Sequence, residues 1–190
     1  MSFELLRLMA QEYADQHKEP QALPATIDTM AYAYQRICQG EEPWTALGDF
    51  SNAWYGYAKH IRPDLIKDPL SRPERETERT RQWGAFCAAS VEYLCELFQQ
   101  PCPQWAHDPY YVLAVPWWNT LRRPDPDAQK YLRKNTPPAF ARRNIFCSNR
   151  LYQNKYEMYE WIGEAIGKGM TDVHEIQRYA RQKELSLYGA

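Results

Sequence analysis

The chain has 190 residues, 23 Lys and Arg against 24 Asp and Glu, and a formal net charge of −1. That length suits one domain with a sizeable core, and the near-neutral balance excludes a molecule built as a whole to seek polyanions. Seven Trp and fourteen Tyr beside only eight Gly favour helices over a turn-rich β-sandwich, and no apolar run approaches the roughly 20 residues that cross a bilayer.

The N-terminal stretch MSFELLRLMAQEYADQHKEP sets Leu5, Leu6, Met9 and Tyr13 at helical spacing. Glu4, Arg7, Gln11 and Glu12 interrupt it, so it is an amphipathic helix and not a secretory signal. In LPATIDTMAYAYQRICQGEEP, Pro24 suits a helix start, Ile27, Met30, Ala31, Tyr34, Ile37 and Cys38 mark the buried face, and Gly40 the stop. EPWTALGDFSNAWYGYAKHIRP opens at Pro43 and places Trp44, Leu47, Phe50, Trp54, Tyr57 and Ile61 inward, with Pro63 ending the run. A Pro-rich connection follows, anchored by Leu65 and Ile66. The longest periodic segment, 74–100, begins with alternating Glu and Arg and then buries Trp83, Phe86, Cys87, Val91, Leu94, Leu97 and Phe98. It is the expected central helix.

Beyond Pro101 the texture changes to Pro and aromatics, with short helices expected at 110–114, 127–134 and 138–143. So many Trp, Tyr and Phe argue against disorder and for an irregular wrap. In TPPAFARRNIFC, Thr136 is placed to cap a short helix that buries Phe140 and holds Arg142 and Arg143 outward, before Ile145 and Phe146 re-enter the core. Two closing helices flank the Gly167-Lys168-Gly169 turn, with Thr171 or Asp172 as N-cap and Glu175 completing a capping box. The expected fold is all-α, a single helical-bundle domain over 1–190. It comprises a helical core at 1–100, the wrap at 101–150 and a terminal helical hairpin at 151–190.

Catalytic and metal signatures are missing. There is no CxxC, HExxH, EF-hand loop, G-x-S-x-G elbow or P-loop spacing. Cys102 and His107 form one weak pair where zinc needs about four ligands. The five cysteines, Cys38, Cys87, Cys95, Cys102 and Cys147, are odd in number and scattered. They read as reduced thiols of a cytoplasmic protein, small and mostly core-facing. No catalytic residue, metal ligand or cofactor is assigned.

One charge asymmetry stands out. Arg122, Arg123, Lys130, Arg133, Lys134, Arg142 and Arg143 face only Asp125 and Asp127. The plain account is a solvated face. The functional account is a surface where Arg forks and aromatics grip an acidic partner. Partner-binding candidates are therefore Arg122, Arg123, Arg133, Arg142, Arg143, Trp117 and Trp118. Tyr131 and Phe140 among these cations would also permit stacking on bases. The terminal helix pair offers a second nucleic-acid alternative, through Gln177, Arg178 and Arg181. The helix before it, with Tyr156, Met158, Tyr159, Trp161 and Ile162, suits either a core or a homodimer contact. An enzyme remains a third alternative, requiring a polar pocket that gathers His60 or His107 with carboxylates.

The runs PCPQWAHDPYYVLAVPWWNT and TPPAFARRNIFCSNRLY resemble a group of bacterial proteins. Their pattern is Pro-x-Trp-x-x-Asp-Pro, an aromatic pair, then Pro-x-x-Phe-x-Arg-Arg-x-Ile-Phe. It falls here on Pro103, Trp105, Asp108, Pro109, Trp117, Trp118, Pro138 (shifted by one), Phe140, Arg142, Arg143, Ile145 and Phe146, about a quarter of the chain. Members are often joined to helix-turn-helix domains and encoded beside nucleotidyltransferase-like proteins. The resemblance implies the antitoxin half of a toxin–antitoxin pair: a non-enzymatic protein whose partner is a nucleotidyltransferase-like toxin.

Overall fold

A computed structural model describes residues 2–16, 26–120, 122–149, 151–152 and 155–188, the last range without the side chains of 155–157, 184, 185, 187 and 188. It is 66% helical, with nine helices and one two-stranded sheet among the described residues, an all-α fold. Two compact units emerge, one of Met1–Ala25, Tyr55–Tyr57 and Gln153–Ala190, the other of Thr26–Trp54 and Ala58–Tyr152.

In the larger unit, α2 (Met30–Cys38) starts at a Thr29 cap whose hydroxyl accepts from the Tyr32 amide at 3.1 Å. Residues 26–28 precede the helix, and the expected start at Pro24 lies outside the described residues. Arg36 binds Asp28, Glu41 and Asp49 at 2.5–3.0 Å, stitching the end of α2 to α3 (Pro43–Asn52). The buried face of α3 is Pro43, Ala46, Leu47 and Phe50. Trp44, expected inward, is 47% exposed, because it falls outside that face and lays its ring edge-on to Trp83 and Phe86.

A π-turn at Ala53–Tyr57 and a 3₁₀ turn at Lys59–Ile61 follow. Pro63, expected to end the run, instead sits in the first turn of α4 (Arg62–Ile66), where a missing amide leaves no helical bond unmade. Leu65 and Ile66 are buried as the anchor.

α5 (Glu78–Phe98) is the central helix of this unit. Thr77 and Thr80 cap it reciprocally, each hydroxyl accepting from the other's amide at 3.0–3.1 Å. From Trp83 to Val91 every residue is buried, so the helix is enclosed on all sides. Gly84 has a specific reason to lack a side chain: a Cβ there would lie 3.1 Å from the Tyr34 hydroxyl, which donates to the Thr80 carbonyl at 3.0 Å.

The wrap runs through 3₁₀ turns at Gln104–His107 and Pro109–Tyr111 and is pinned by Trp105, whose Nε1 donates to the Ile66 carbonyl at 2.9 Å. The helix expected at 110–114 is thus a single turn followed by extended chain. β1 (Trp117–Trp118) pairs in parallel with β2 (Ile145–Phe146), a ladder the helical reading of the wrap does not contain. Between them lie α6 (Pro126–Asn135) and α7 (Pro138–Ala141). Thr136 does not cap α7. It closes α6, its hydroxyl donating to the Leu132 carbonyl at 2.7 Å and accepting from the Cys147 amide at 3.0 Å, while Pro137 precedes α7.

The smaller unit packs α1 (Phe3–Gln16), α8 (Lys155–Gly167) and α9 (Val173–Tyr188) around Leu6, Ala10, Trp161, Ile162, Ala165, Ile176 and Ala180. Leu5 lies off the buried stripe of α1 and is exposed, as is Leu8. Gly169, at φ +86°, makes the left-handed turn after α8, and the Asp172 carboxylate accepts from the Glu175 amide at 2.9 Å to cap α9.

Candidate functional site

The strand ladder decides what each tryptophan of the Trp117-Trp118 pair does. Trp117 N–H donates to the Asn144 carbonyl at 2.8 Å, and Asn119 N–H to Phe146 at 2.9 Å. Successive strand side chains point to opposite faces. Trp117 therefore meets Trp83 and Phe86, with centroids at 5.3 and 6.1 Å, whereas Trp118 stacks on Phe146 at 4.8 Å. Above that second pair lies the Arg133 guanidinium, 4.5 Å from the Phe146 centroid and 5.0 Å from Trp118. A planar cation held on a ring face is attracted by the ring quadrupole and loses rotamer freedom before any partner arrives.

α6 carries Arg133 because the Asp125 carboxylate accepts the Ala128 amide at 2.8 Å and Pro126 opens the first turn. Arg122, Arg123, Lys130 and Lys134 are exposed, and among the described residues none of them forms an ion pair. Tyr131, next to Lys130 in sequence, is 63% exposed. α6 thus holds one oriented guanidinium against an aromatic pair, and it and the segment before it carry four further exposed cations.

Arg142 and Arg143 belong to a different arrangement. The expectation that both project outward is corrected: the Arg143 side chain is 3% exposed and faces Glu92 of α5, itself 3% exposed. Arg143 Nη1 donates to Glu92 and, at 2.6 Å, to the Ala139 carbonyl, and Nη2 donates to the Ala106 carbonyl. Arg142 is half-exposed, but it too donates to Glu92 and to the Pro138 carbonyl at 3.2 Å, with Glu96 at 3.7 Å. A buried carboxylate persists only when its lone pairs are satisfied, and these two guanidinium groups satisfy them. The cluster fastens α5, α7 and the 104–107 turn together. Phe140, a candidate for stacking on bases, is fully buried against Phe86 and Tyr93.

Glu92 is the residue sequence reasoning misses. A signal for it exists: a lone carboxylate in CAASVEYLC, inside an otherwise apolar run, needs a cation from elsewhere in the chain.

In the smaller unit the nucleic-acid candidates lie away from the Ile176–Ala180 core. Arg178 and Arg181 are exposed, Gln177 is half-buried, and Arg178 approaches Glu175 at 4.0 Å. Glu164 gathers Lys168 at 2.6 Å, the Tyr179 hydroxyl at 2.6 Å and Lys183 at 3.4 Å, and bonding to Lys168 first and Tyr179 second pulls its carboxyl down to about 2.

For the enzyme alternative, His60 is exposed, and His107 stands 3.9 Å from Glu92, a carboxylate already held by two arginines. Glu78, Arg81, Gln82, Leu113, Ala114 and Val115 bound a cavity of about 190 Å³ without histidine, below the roughly 300 Å³ at which small-molecule sites begin. Among the described residues no three His, Cys, Asp or Glu side chains meet as a metal site, and no helix is long and apolar enough to cross a membrane. Burial pushes the Cys147 thiol up to about 12 and that of Cys87 higher still.

Comparison with known proteins finds no matching family model, no matching curated protein and no matching solved structure.

Proposed function

We propose that the chain is a non-enzymatic interaction protein that binds an acidic surface of a partner protein through α6 and the Trp118–Phe146 pair. One observation carries the reading: among the described residues Arg122, Arg123, Lys130 and Lys134 form no ion pair, and α6 also carries an Arg133 already oriented on two rings. Cations left unpaired by folding are available to a partner, and pre-ordered Arg and aromatic side chains are the usual anchors of an interface. Arg143 has no part in this surface, Arg142 is held by Glu92, and Trp117 supports it from the core side. The resemblance of the wrap to antitoxin-like bacterial proteins makes a nucleotidyltransferase-like toxin the favoured partner, with the carboxylates of its metal site as the acidic counterpart.

The test is co-expression with the product of the adjacent gene, followed by size-exclusion chromatography. A joint peak is expected, weakened at least tenfold in affinity by the combined Arg123→Glu, Lys130→Glu and Lys134→Glu changes. A chain that elutes alone beside that product, or a triple variant that binds as before, defeats the reading.

Tyr131 favours a second reading, a single-stranded nucleic acid whose bases stack on the exposed ring. Binding to an oligonucleotide that weakens steeply with salt and is lost in Tyr131→Ala would support it, and no binding at low salt would dismiss it.

A further inference from the structure

Cys95 sits in the last turn of α5 and is 3% exposed, while Cys102, seven positions later, is half-buried. Between them Gln99 adopts a left-handed conformation at φ 51°, and the Gln100 amide returns to the Cys95 carbonyl at 3.0 Å. The chain thereby doubles back on the helix end. Cys95 Sγ lies 3.8 Å from the carbonyl oxygen of Pro101, the residue bonded to Cys102, and Cys102 Sγ lies 3.9 Å from the Pro103 carbonyl oxygen. Cys87 and Cys147, by contrast, are sealed in the core.

We propose that Cys95 and Cys102 are a redox modification site, a dithiol that peroxide-class oxidants convert to an intramolecular disulfide and that thiol reductants restore. The accessible Cys102 thiolate attacks one peroxide oxygen, which becomes its sulfenic acid as the O–O bond breaks and hydroxide leaves. Cys95 then attacks the sulfenic sulfur, the S–S bond forms, and a second hydroxide departs. With the two thiol protons the net products are a disulfide and two waters. Each sulfur gives up one electron, and the peroxide takes both.

Burial holds both thiols in the protonated form, so the pair is inert at rest, and its oxidation accelerates about tenfold per pH unit as the thiolate fraction grows. The cross-link joins α5 to the turn that delivers the Ala106 carbonyl to Arg143, and it removes conformations from the unfolded chain. The oxidised protein is therefore the harder one to unfold.

The experiment treats the full chain with hydrogen peroxide at about pH 9, above the roughly 8.5 at which an unburied thiol ionises, and alkylates remaining thiols after denaturation. No Lys or Arg lies between Arg81 and Arg122, so trypsin leaves Cys87, Cys95 and Cys102 on one peptide, and chymotrypsin separates the last two after Leu97 or Phe98. Expected are a tryptic peptide short of two hydrogens with a single alkylated cysteine, and chymotryptic fragments that part only on reduction. A melting temperature that rises with peroxide and falls back with dithiothreitol is also expected. Cys102→Ser should lose both effects, and Cys38→Ser neither. Cys102 recovered as sulfinic acid without a cross-link, a bond to another cysteine or another chain, or a Cys102→Ser protein that still loses two hydrogens overturns the proposal.

Discussion

Glu92, Arg142 and Arg143 hold one another in place at a depth where a single charge could not remain. Removing one partner strands the other, so Glu92→Gln should cost about 3–5 kcal/mol in urea denaturation, the penalty for an uncompensated buried guanidinium. Replacing both Glu92 and Arg143 by apolar residues of similar volume, Leu and Met, should restore most of that loss. If the single and double variants unfold alike, the pair is not what fastens α7 to α5. At Glu164 the sign of the pH dependence follows from its depressed carboxyl. Its contribution is complete above the ordinary value of 4.5 and is lost as pH falls toward about 2. Thermal melts of Lys168→Ala should accordingly show a shallower decline across that window than those of the unaltered protein.

Among elements, α5 is specified locally and α7 is not. The Thr77–Thr80 cap begins α5, and Thr77→Ala should destabilise the protein by about 1 kcal/mol, read from the denaturation midpoint. Gly84→Ala opposes two effects. An alanine gains roughly 1 kcal/mol of helix propensity, but its Cβ meets the Tyr34 hydroxyl at 3.1 Å, and that hydroxyl is fixed on the Thr80 carbonyl. The packed ring cannot yield freely, so a net loss of stability is expected, and a gain would show that Tyr34 moves at little cost. α7 has only four residues, too few to persist alone. It exists because Phe140 enters the core, and Phe140→Ala should cost about 3–5 kcal/mol. The spacing of the helix-rich half of the larger unit is therefore readable directly, down to α6 and the burial of Leu65 and Ile66. The wrap is not, because its order comes from partners distant in sequence: Arg133 with Trp118, Trp105 with Ile66, Arg143 with Ala106.

For the whole molecule a net charge of −1 conceals the α6 patch. If that patch steers a partner, the association rate should fall as salt rises while dissociation changes little, and charge reversal at Arg123 and Lys130 should flatten the dependence. Stopped-flow measurement with the adjacent-gene product separates the two rates. A salt-independent association would assign the binding to some other face. The division into two compact units was not legible in the chain, since α1 and the α8–α9 pair stand at opposite ends of the sequence and nothing in their spacing announces that they share a core.

Helical periodicity, caps, proline positions and the scarcity of glycine determined the all-α class and most helix positions, because these are interactions between residues a few places apart. They also located the basic stretch. Which of its arginines remain available was decided only in three dimensions. The same residue type is spent when folding carries it to Glu92, as with Arg143, and presented when folding carries it to a pair of rings, as with Arg133. Burial depends on what the rest of the chain brings alongside, and a local pattern holds no record of that.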